Sequence, residues 1–157
     1  MRIGQSTDIH PLVEDRPLIL GGVHIESLLG AYGHSDADVL VHAIAESLLG
    51  ACALGDLGKH FPDTDSKYKG ISSLLILKEV AKKVDECGYK IGNIDALVLL
   101  EKPKLAPYMD QMKQNICEVL NIELNQLNLK ATRGEKLGYI GRMEGIMAQA
   151  VCLIENK

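Results

Sequence analysis

His34-Ser35-Asp36-Ala37-Asp38-Val39-Leu40-Val41-His42, running on through Ala43-Ile44-Ala45-Glu46 to Gly58, is the stretch on which the fold turns. His34, Asp38, His42 and Glu46 recur every fourth residue, and residues four apart stack on one face of a helix. That face is polar and rich in metal-ligand types, while Val39, Leu40, Ala43, Ile44 and Leu48 form an apolar side suited to packing on a sheet. Ser35 followed by Asp38 matches a capping box, with Asp36 as a second acid in the first turn. The spacing therefore predicts a helix that starts here and runs to about Ala53.

Upstream, Met1 to His10 reads as a strand ending in Asp8-Ile9-His10, and period-two alternation sends Asp8 and His10 to one face and Ile9 to the other. Arg16 to Leu20 and Val23 to Ile25 read as two short strands around the Gly21-Gly22 turn. Downstream, Gly55 to Asp65 has breakers and acids but no periodic apolar face, and a polar loop of that length in a compact domain is more often functional than idle. Ser72 to Cys87 predicts a second helix capped by Gly88. Ile91 to Leu100 predicts a strand, with Leu97 to Leu100 continuous enough to be buried on both faces. Pro103 and Pro107 break it, Tyr108 to Leu120 predicts a third helix, and Leu127 to Thr132 and Ile146 to Ile154 predict strands around the glycine-punctuated, charged segment Arg133 to Gly145. This order predicts an α+β fold over residues 1–157 as one domain: a mixed four-stranded sheet with helices on one face, plus a small β-hairpin.

With 157 residues, 46% of them hydrophobic, the chain is long enough to bury a core. The formal net charge is −4 and no Lys/Arg cluster occurs, which argues against nucleic acid or a membrane surface as partner. Bound cations must then supply much of the charge opposing a polyphosphate ligand. One Phe and no Trp make base-stacking platforms improbable, and no apolar run approaches the ~20 residues that span a bilayer. The four cysteines are scattered without C-x-x-C spacing and no signal peptide precedes the first strand, so they read as reduced thiols of a cytoplasmic protein.

Asp8, His10 and His42 make an N/O ligand set suited to catalytic zinc with one position left open. Two of the three also have a bland reading: Asp8 as a turn cap, His10 as a surface residue. Asp38 serves equally as the reciprocal member of a capping box. Asp56 and Asp63 either solubilise a loop or bond a polyol or phosphate, and Lys104 is a solvated lysine or a ligand contact between two prolines. Glu135, in a glycine-rich turn after a strand, can hold Mg²⁺ against a diphosphate. Arg142 and Glu144 can pair on the surface, worth less than about 1 kcal/mol.

Jointly, Asp8-Ile9-His10, Gly21-Gly22, His34-Ser35-Asp36-Ala37-Asp38 with His42, Leu54-Gly55-Asp56-Leu57-Gly58, Phe61-Pro62-Asp63-Thr64-Asp65, Pro103-Lys104, Lys130-Ala131-Thr132, Glu135-Lys136-Leu137-Gly138 and Gly141-Arg142-Met143-Glu144-Gly145 closely resemble the 2-C-methyl-D-erythritol 2,4-cyclodiphosphate synthase family over nearly the whole chain. The resemblance implies a homotrimer with active sites between subunits. It implies one Zn²⁺ per subunit on Asp8, His10 and His42, and Mg²⁺ or Mn²⁺ bridging the substrate diphosphate, with Glu135 as its protein ligand. His34, Ser35, Asp56, Gly58 and Asp63 would hold the methylerythritol phosphate. Leu100, Lys104, Leu105, Ala106, Ala131 and Thr132 would line the cytidine pocket. His34, Thr132 and Glu135 are the implied catalytic positions, and Phe61, Arg133, Tyr139 and Arg142 complete the implied substrate contacts. Positions matching Tyr139, Arg142 and Glu144 also line a cavity on the trimer axis of family members, in some of them filled by an isoprenoid diphosphate.

The implied reaction converts 4-diphosphocytidyl-2-C-methyl-D-erythritol 2-phosphate to the cyclic diphosphate and CMP in the non-mevalonate isoprenoid pathway. Two rival readings are a zinc-dependent phosphohydrolase and a non-catalytic trimeric ligand-binding protein. The chain departs from the family pattern at Gln5-Ser6-Thr7, where a glycine and an aromatic are common, and at Arg133-Gly134, which replaces a threonine pair.

Overall fold

The computed structural model describes residues 1–62, 64–65 and 68–157. Its spine is β1 (Arg2–Val13), which pairs antiparallel with β7 (Gly145–Asn156) along almost its whole length, from Arg2 opposite Ile154 to Pro11 opposite Gly145. β5 (Tyr89–Leu99) lies antiparallel on the other side of β7, and β6 (Leu127–Thr132) pairs parallel with β5. A parallel pair needs a crossover, and helix α4 (Met109–Leu120) supplies it. The two-residue β4 (Gly30–Ala31) adds an edge to β1, giving the order β4-β1-β7-β5-β6. The sheet thus has five strands rather than four, because a two-residue strand leaves no period to read. β2 (Leu18–Leu20) and β3 (Val23–Ile25) pair separately.

Helix α1 (Val39–Ala51) packs on β1 and β7, and α3 (Ser73–Glu86) packs between α1 and α4. A helix apolar nearly all round belongs in the interior, and in α1 only His42, Glu46 and Gly50 escape burial. The close fit on β1 depends on Gly4, whose Cβ would sit 1.8 Å from the Ser47 carbonyl. The strands obey the period-two rule: Ile94, Ala96 and Val98 of β5 are buried under the helices, and Leu97 and Leu99 are half-exposed on the other face. The run from Leu97 to Leu100 is therefore buried on one face, not two. That outer face also exposes Ile3 (69%), Ile9 (52%) and Val151 (46%).

The start of α1 differs from the capping-box reading. Ala37 adopts φ 58°, which turns the chain out of helical geometry, and Asp38 is itself the N-cap, its Oδ1 accepting from Val41 N at 3.1 Å. His34 and Asp38 therefore precede the helix, and of the four-residue stripe only His42 and Glu46 lie on it. The polar loop contains the short helix α2 (Leu57–His60), N-capped by Asp56, and the charged glycine segment contains α5 (Gly138–Gly141). Each spans a single turn, too short for a periodic signal.

Candidate metal centre and adjoining cavities

Asp8 and His10 leave the end of β1 on the same face, and His42 reaches them from the first turns of α1. Asp8 Oδ2 lies 3.0 Å from His10 Nε2 and 3.1 Å from His42 Nδ1, and the two ring nitrogens are 3.3 Å apart. Among the described residues this is the single group of three or more His, Cys, Asp or Glu that could hold a metal ion. A tetrahedral ion with bonds of ~2.0–2.3 Å sets its ligand atoms ~3.3–3.7 Å apart, so the triangle already has nearly the required size.

The remaining polar atoms of the three side chains are engaged in ways that select the metal-binding form. His10 Nδ1 is 2.9 Å from the Tyr32 carbonyl; as a donor there, it leaves Nε2 bare. His42 Nε2 lies 2.8 Å from Ser73 Oγ and 3.1 Å from Ser35 Oγ, and the Ser73 hydroxyl donates in turn to Asp36. This His42–Ser73–Asp36 relay places the proton on Nε2 and frees Nδ1, the outer-shell arrangement that orients metal-ligating imidazoles. Burial alone would raise the Asp8 pKa, but hydrogen bonds and charge from His10 and His42 hold it well below the usual carboxylate range. Burial would lower the His10 pKa, and the neighbouring Asp8 carboxylate reverses this and raises it.

Ser73 and Tyr32 carry no sequence signal for these roles. Ser73 reads as part of a helix start, and Asp36 finds it 37 residues away. Asp38, fully buried, accepts from Gly22 N at 2.8 Å as well as from Val41; burial is the larger influence and pushes its pKa up to about 6. It ties the β2–β3 turn to the helix that carries His42.

The triad opens into a cavity of about 440 Å³ that also receives His34, Ser35, Gly58 and Phe61. Glu46, read from the sequence only as part of the polar helix stripe, joins this wall, as do Tyr68, Ile71 and Ile76, which carried no signal for it. Glu46 accepts from Ser6 Oγ at 2.6 Å and Leu57 N at 3.3 Å, so the unusual Ser6 meets a partner and the start of α2 is tethered to α1. Asp56 accepts from Lys59 N at 2.9 Å. Asp63 lies outside the described residues.

A second cavity, of about 210 Å³, gathers Leu100, Lys104, Leu105, Ala106, Ala131, Thr132 and Arg133, the full set expected around cytidine together with Arg133. Its floor is held by Leu100 N donating to Thr132 O at 3.0 Å and Gly134 N donating to Glu101 at 3.0 Å. Gly134 must be glycine, since its Cβ would lie 2.6 Å from Gly141 N. Glu135 is exposed at φ 51° on this turn and does not join the triad. Arg142 grips Glu144 through two bonds of 2.8 and 3.0 Å, and Tyr139 donates to Met147 Sδ at 3.3 Å. Within the single chain the triad and the cytidine set line two different cavities.

The YgbB family model matches residues 1–155. A 2-C-methyl-D-erythritol 2,4-cyclodiphosphate synthase from Clostridium novyi (strain NT) is 59% identical over 157 residues, covering 100% of both chains. Among solved structures, the bifunctional IspDF of Campylobacter jejuni aligns at TM-score 0.95 and 40% identity over 99% of this chain and 42% of that one. A CDP-bound 2C-methyl-D-erythritol-2,4-cyclodiphosphate synthase aligns at TM-score 0.90 and 34% identity over 98% of this chain and 100% of its own.

Proposed function

The chain belongs to the YgbB family of 2-C-methyl-D-erythritol 2,4-cyclodiphosphate synthases, and from that premise we propose how its two cavities divide the reaction. It is a lyase of isoprenoid synthesis that forms a cyclic diphosphate. The substrate in this reading is 4-diphosphocytidyl-2-C-methyl-D-erythritol 2-phosphate. An oxygen of the 2-phosphate forms a bond to the β-phosphorus, the bond from that phosphorus to the bridging oxygen breaks, and CMP leaves with the electron pair. The nucleophile has a second pKa of ~6 and is largely ionised at neutral pH, so no strong base is required. The chain must instead neutralise charge and align the groups.

Asp8, His10 and His42 would hold one Zn²⁺ per subunit. The observation that carries this is their triangle of ligand atoms at 3.0–3.3 Å, with the unused histidine nitrogens already engaged. Zinc bound there supplies Lewis-acid polarisation of a phosphoryl oxygen. Glu135, an exposed carboxylate, would be the protein ligand of Mg²⁺ or Mn²⁺ arriving with the diphosphate, since such ions take one or two carboxylates plus phosphate oxygens. His34 and Ser35 face the methylerythritol phosphate beside the triad, with Asp56, Gly58 and Phe61 at the polyol end; the resemblance assigns Asp63 to the same group. Lys104 and Arg133 bring charge to the cytidine end, and Thr132 sits with Glu135 where the departing phosphate is held.

The reading places the active site between subunits of a homotrimer of one-domain chains. Two features support it: the separation of triad and cytidine cavities within one chain, and the exposed apolar side chains of Ile3, Ile9 and Val151 along the helix-free sheet face. Tyr139, Arg142 and Glu144 would then face the axial cavity, which would accept an isoprenoid diphosphate. No helix among the described residues is long and apolar enough to cross a membrane; a cytoplasmic site of action is part of the proposed reading. The test is to incubate the protein with the cytidine substrate and Mg²⁺, with and without a zinc chelator, and measure CMP and cyclic product. Stoichiometric release of both, abolished by the chelator and restored by zinc, is expected. Release of inorganic phosphate would mean hydrolysis, and no release would mean a binding protein.

A further inference from the structure

A third cavity, of about 450 Å³, shares His34 and Ser35 with the cavity of the metal centre and is lined as well by Arg16, Tyr32 and Lys69. His34 and Ser35 therefore belong to both cavities, and Ser35 Oγ is 3.1 Å from the imidazole of His42. Arg16 lies over the Tyr32 ring at 5.6 Å and donates from one terminal nitrogen to Gly33 O at 3.3 Å. Its Nε is buried without a hydrogen-bond partner. A guanidinium offers five donors, and a buried donor left unsatisfied is costly, so this side chain has binding capacity that the protein itself does not use. Among the described residues neither Arg16 nor Lys69 is paired with a carboxylate.

The acids of the adjoining metal centre are otherwise engaged. Asp36 accepts from Ser73, Asp8 is held by the two histidines, and Glu46 accepts from Ser6 and Leu57. The cavity consequently presents an arginine, a lysine, an exposed histidine and a serine hydroxyl, a set that selects a compact, doubly charged oxyanion over a neutral polyol.

We propose that this cavity receives the phosphomonoester of the substrate, with Arg16 and Lys69 as the specificity-determining residues that distinguish the 2-phosphorylated substrate from the same molecule lacking that phosphate. This rests on the cyclodiphosphate synthase reading and adds two residues to it. Arg16 engages the phosphate through its fork of N–H groups, Lys69 acts as a point charge, and Ser35, which both cavities share, keeps the held nucleophile beside the metal ligands. A site built to pair a charged group rejects the analogue without it more strongly than an apolar pocket rejects a missing methylene.

The test compares wild type, Arg16→Gln, Arg16→Lys and Lys69→Gln as zinc-loaded full chains with Mg²⁺. KM and kcat are measured for the 2-phosphorylated substrate, and a competitive Ki for 4-diphosphocytidyl-2-C-methyl-D-erythritol, which lacks the 2-phosphate. Arg16→Gln is expected to raise KM about tenfold or more and Lys69→Gln several-fold, with Ki unchanged within about twofold and Arg16→Lys in between. A merely structural role would move KM and Ki together, and that outcome, or no movement of either, overturns the proposal. Inorganic phosphate is the second probe: if it competes with substrate in wild type but not in Arg16→Gln while KM stays the same, the cavity serves free phosphate and the assignment to substrate is wrong. Should Arg16→Gln fail to fold, judged by far-UV circular dichroism, the exposed Lys69 decides alone. Failure of wild type to release CMP would refute the functional reading, a result separable from any of these.

Discussion

In the proposed reading the Asp8–His10–His42 centre and the Thr132–Arg142 turn each offer a carboxylate to a cation, and the structure holds those two carboxylates in opposite ways. Asp8 is half-buried, locked between two imidazoles, and backed by the Ser73–Asp36 relay from another helix. Glu135 stands exposed on a turn whose backbone is fixed by Glu101 and Gly134 while its own carboxylate points to solvent. The first site is built by long-range contacts before any ligand arrives. In the proposed reading the second is completed by the ligand. A prearranged site loses little entropy on binding and tolerates little damage; a site shared with substrate phosphates and water is weaker alone but more forgiving.

The sharpest way to break this contrast is His42→Ala, which removes one corner of the triangle. Zinc content by mass spectrometry and CMP release should fall together, the latter by ~10³-fold or more, because a missing Lewis acid costs several kcal/mol of transition-state stabilisation. Normal turnover by this variant would disprove the zinc assignment.

Next in size is a stability effect at Asp38, which supports the triad from behind. Its folded-state pKa of about 6 lies above the ordinary 3.8, so the folded protein holds this proton more tightly than the unfolded chain does. The stability it contributes is present below about pH 4 and is lost as pH rises through 6, up to ~3 kcal/mol in the metal-free protein. Subtracting the Asp38→Asn unfolding curve from that of wild type, both metal-free, should reveal this slope; a flat difference between pH 4 and 7 would contradict it.

Ser73→Ala tests the relay. Zinc affinity should weaken roughly 10- to 100-fold, with turnover recovering in excess zinc, because the His42 ring is disoriented rather than removed. Titration against a competing chelator measures it. Glu135→Gln should have the smallest effect, about tenfold in kcat with a higher Mg²⁺ requirement and unchanged zinc affinity, since substrate phosphates and waters supply the other ligands. If Glu135→Gln proves as damaging as His42→Ala, the two sites are not differently organised.

The long elements were legible because their periods are. α3, α4, β6 and β7 match the expected helices and strands with shifts of one or two residues at their ends. β4, α2 and α5 were not, since two to four residues cannot complete a pattern. The start of α1 misled for a different reason: Ser35-x-x-Asp38 has the letters of a capping box, but Ala37 at φ 58° shifts the cap three residues on. At the site, the N/O chemistry of Asp8, His10 and His42 could be read from residue types and strand alternation. The backing by Tyr32 O, Ser73 and Asp36 could not, because nothing local marks a serine or a carbonyl as the partner of a histidine tens of residues away.

By itself the sequence determined the ligand types, the family and the alternation of apolar faces that makes a sheet with helices on one side, all of which are properties of residue identity and short spacing. Only the tertiary structure decided that His42 and Glu46 share a helical stripe while His34 and Asp38 do not, that His42 turns Nδ1 toward Asp8 and His10, that Ser6 and Glu46 are partners, and that Arg16 and Lys69 line one cavity beside the triad. Those facts depend on distances between segments far apart in the chain, and such distances are set by how the core packs.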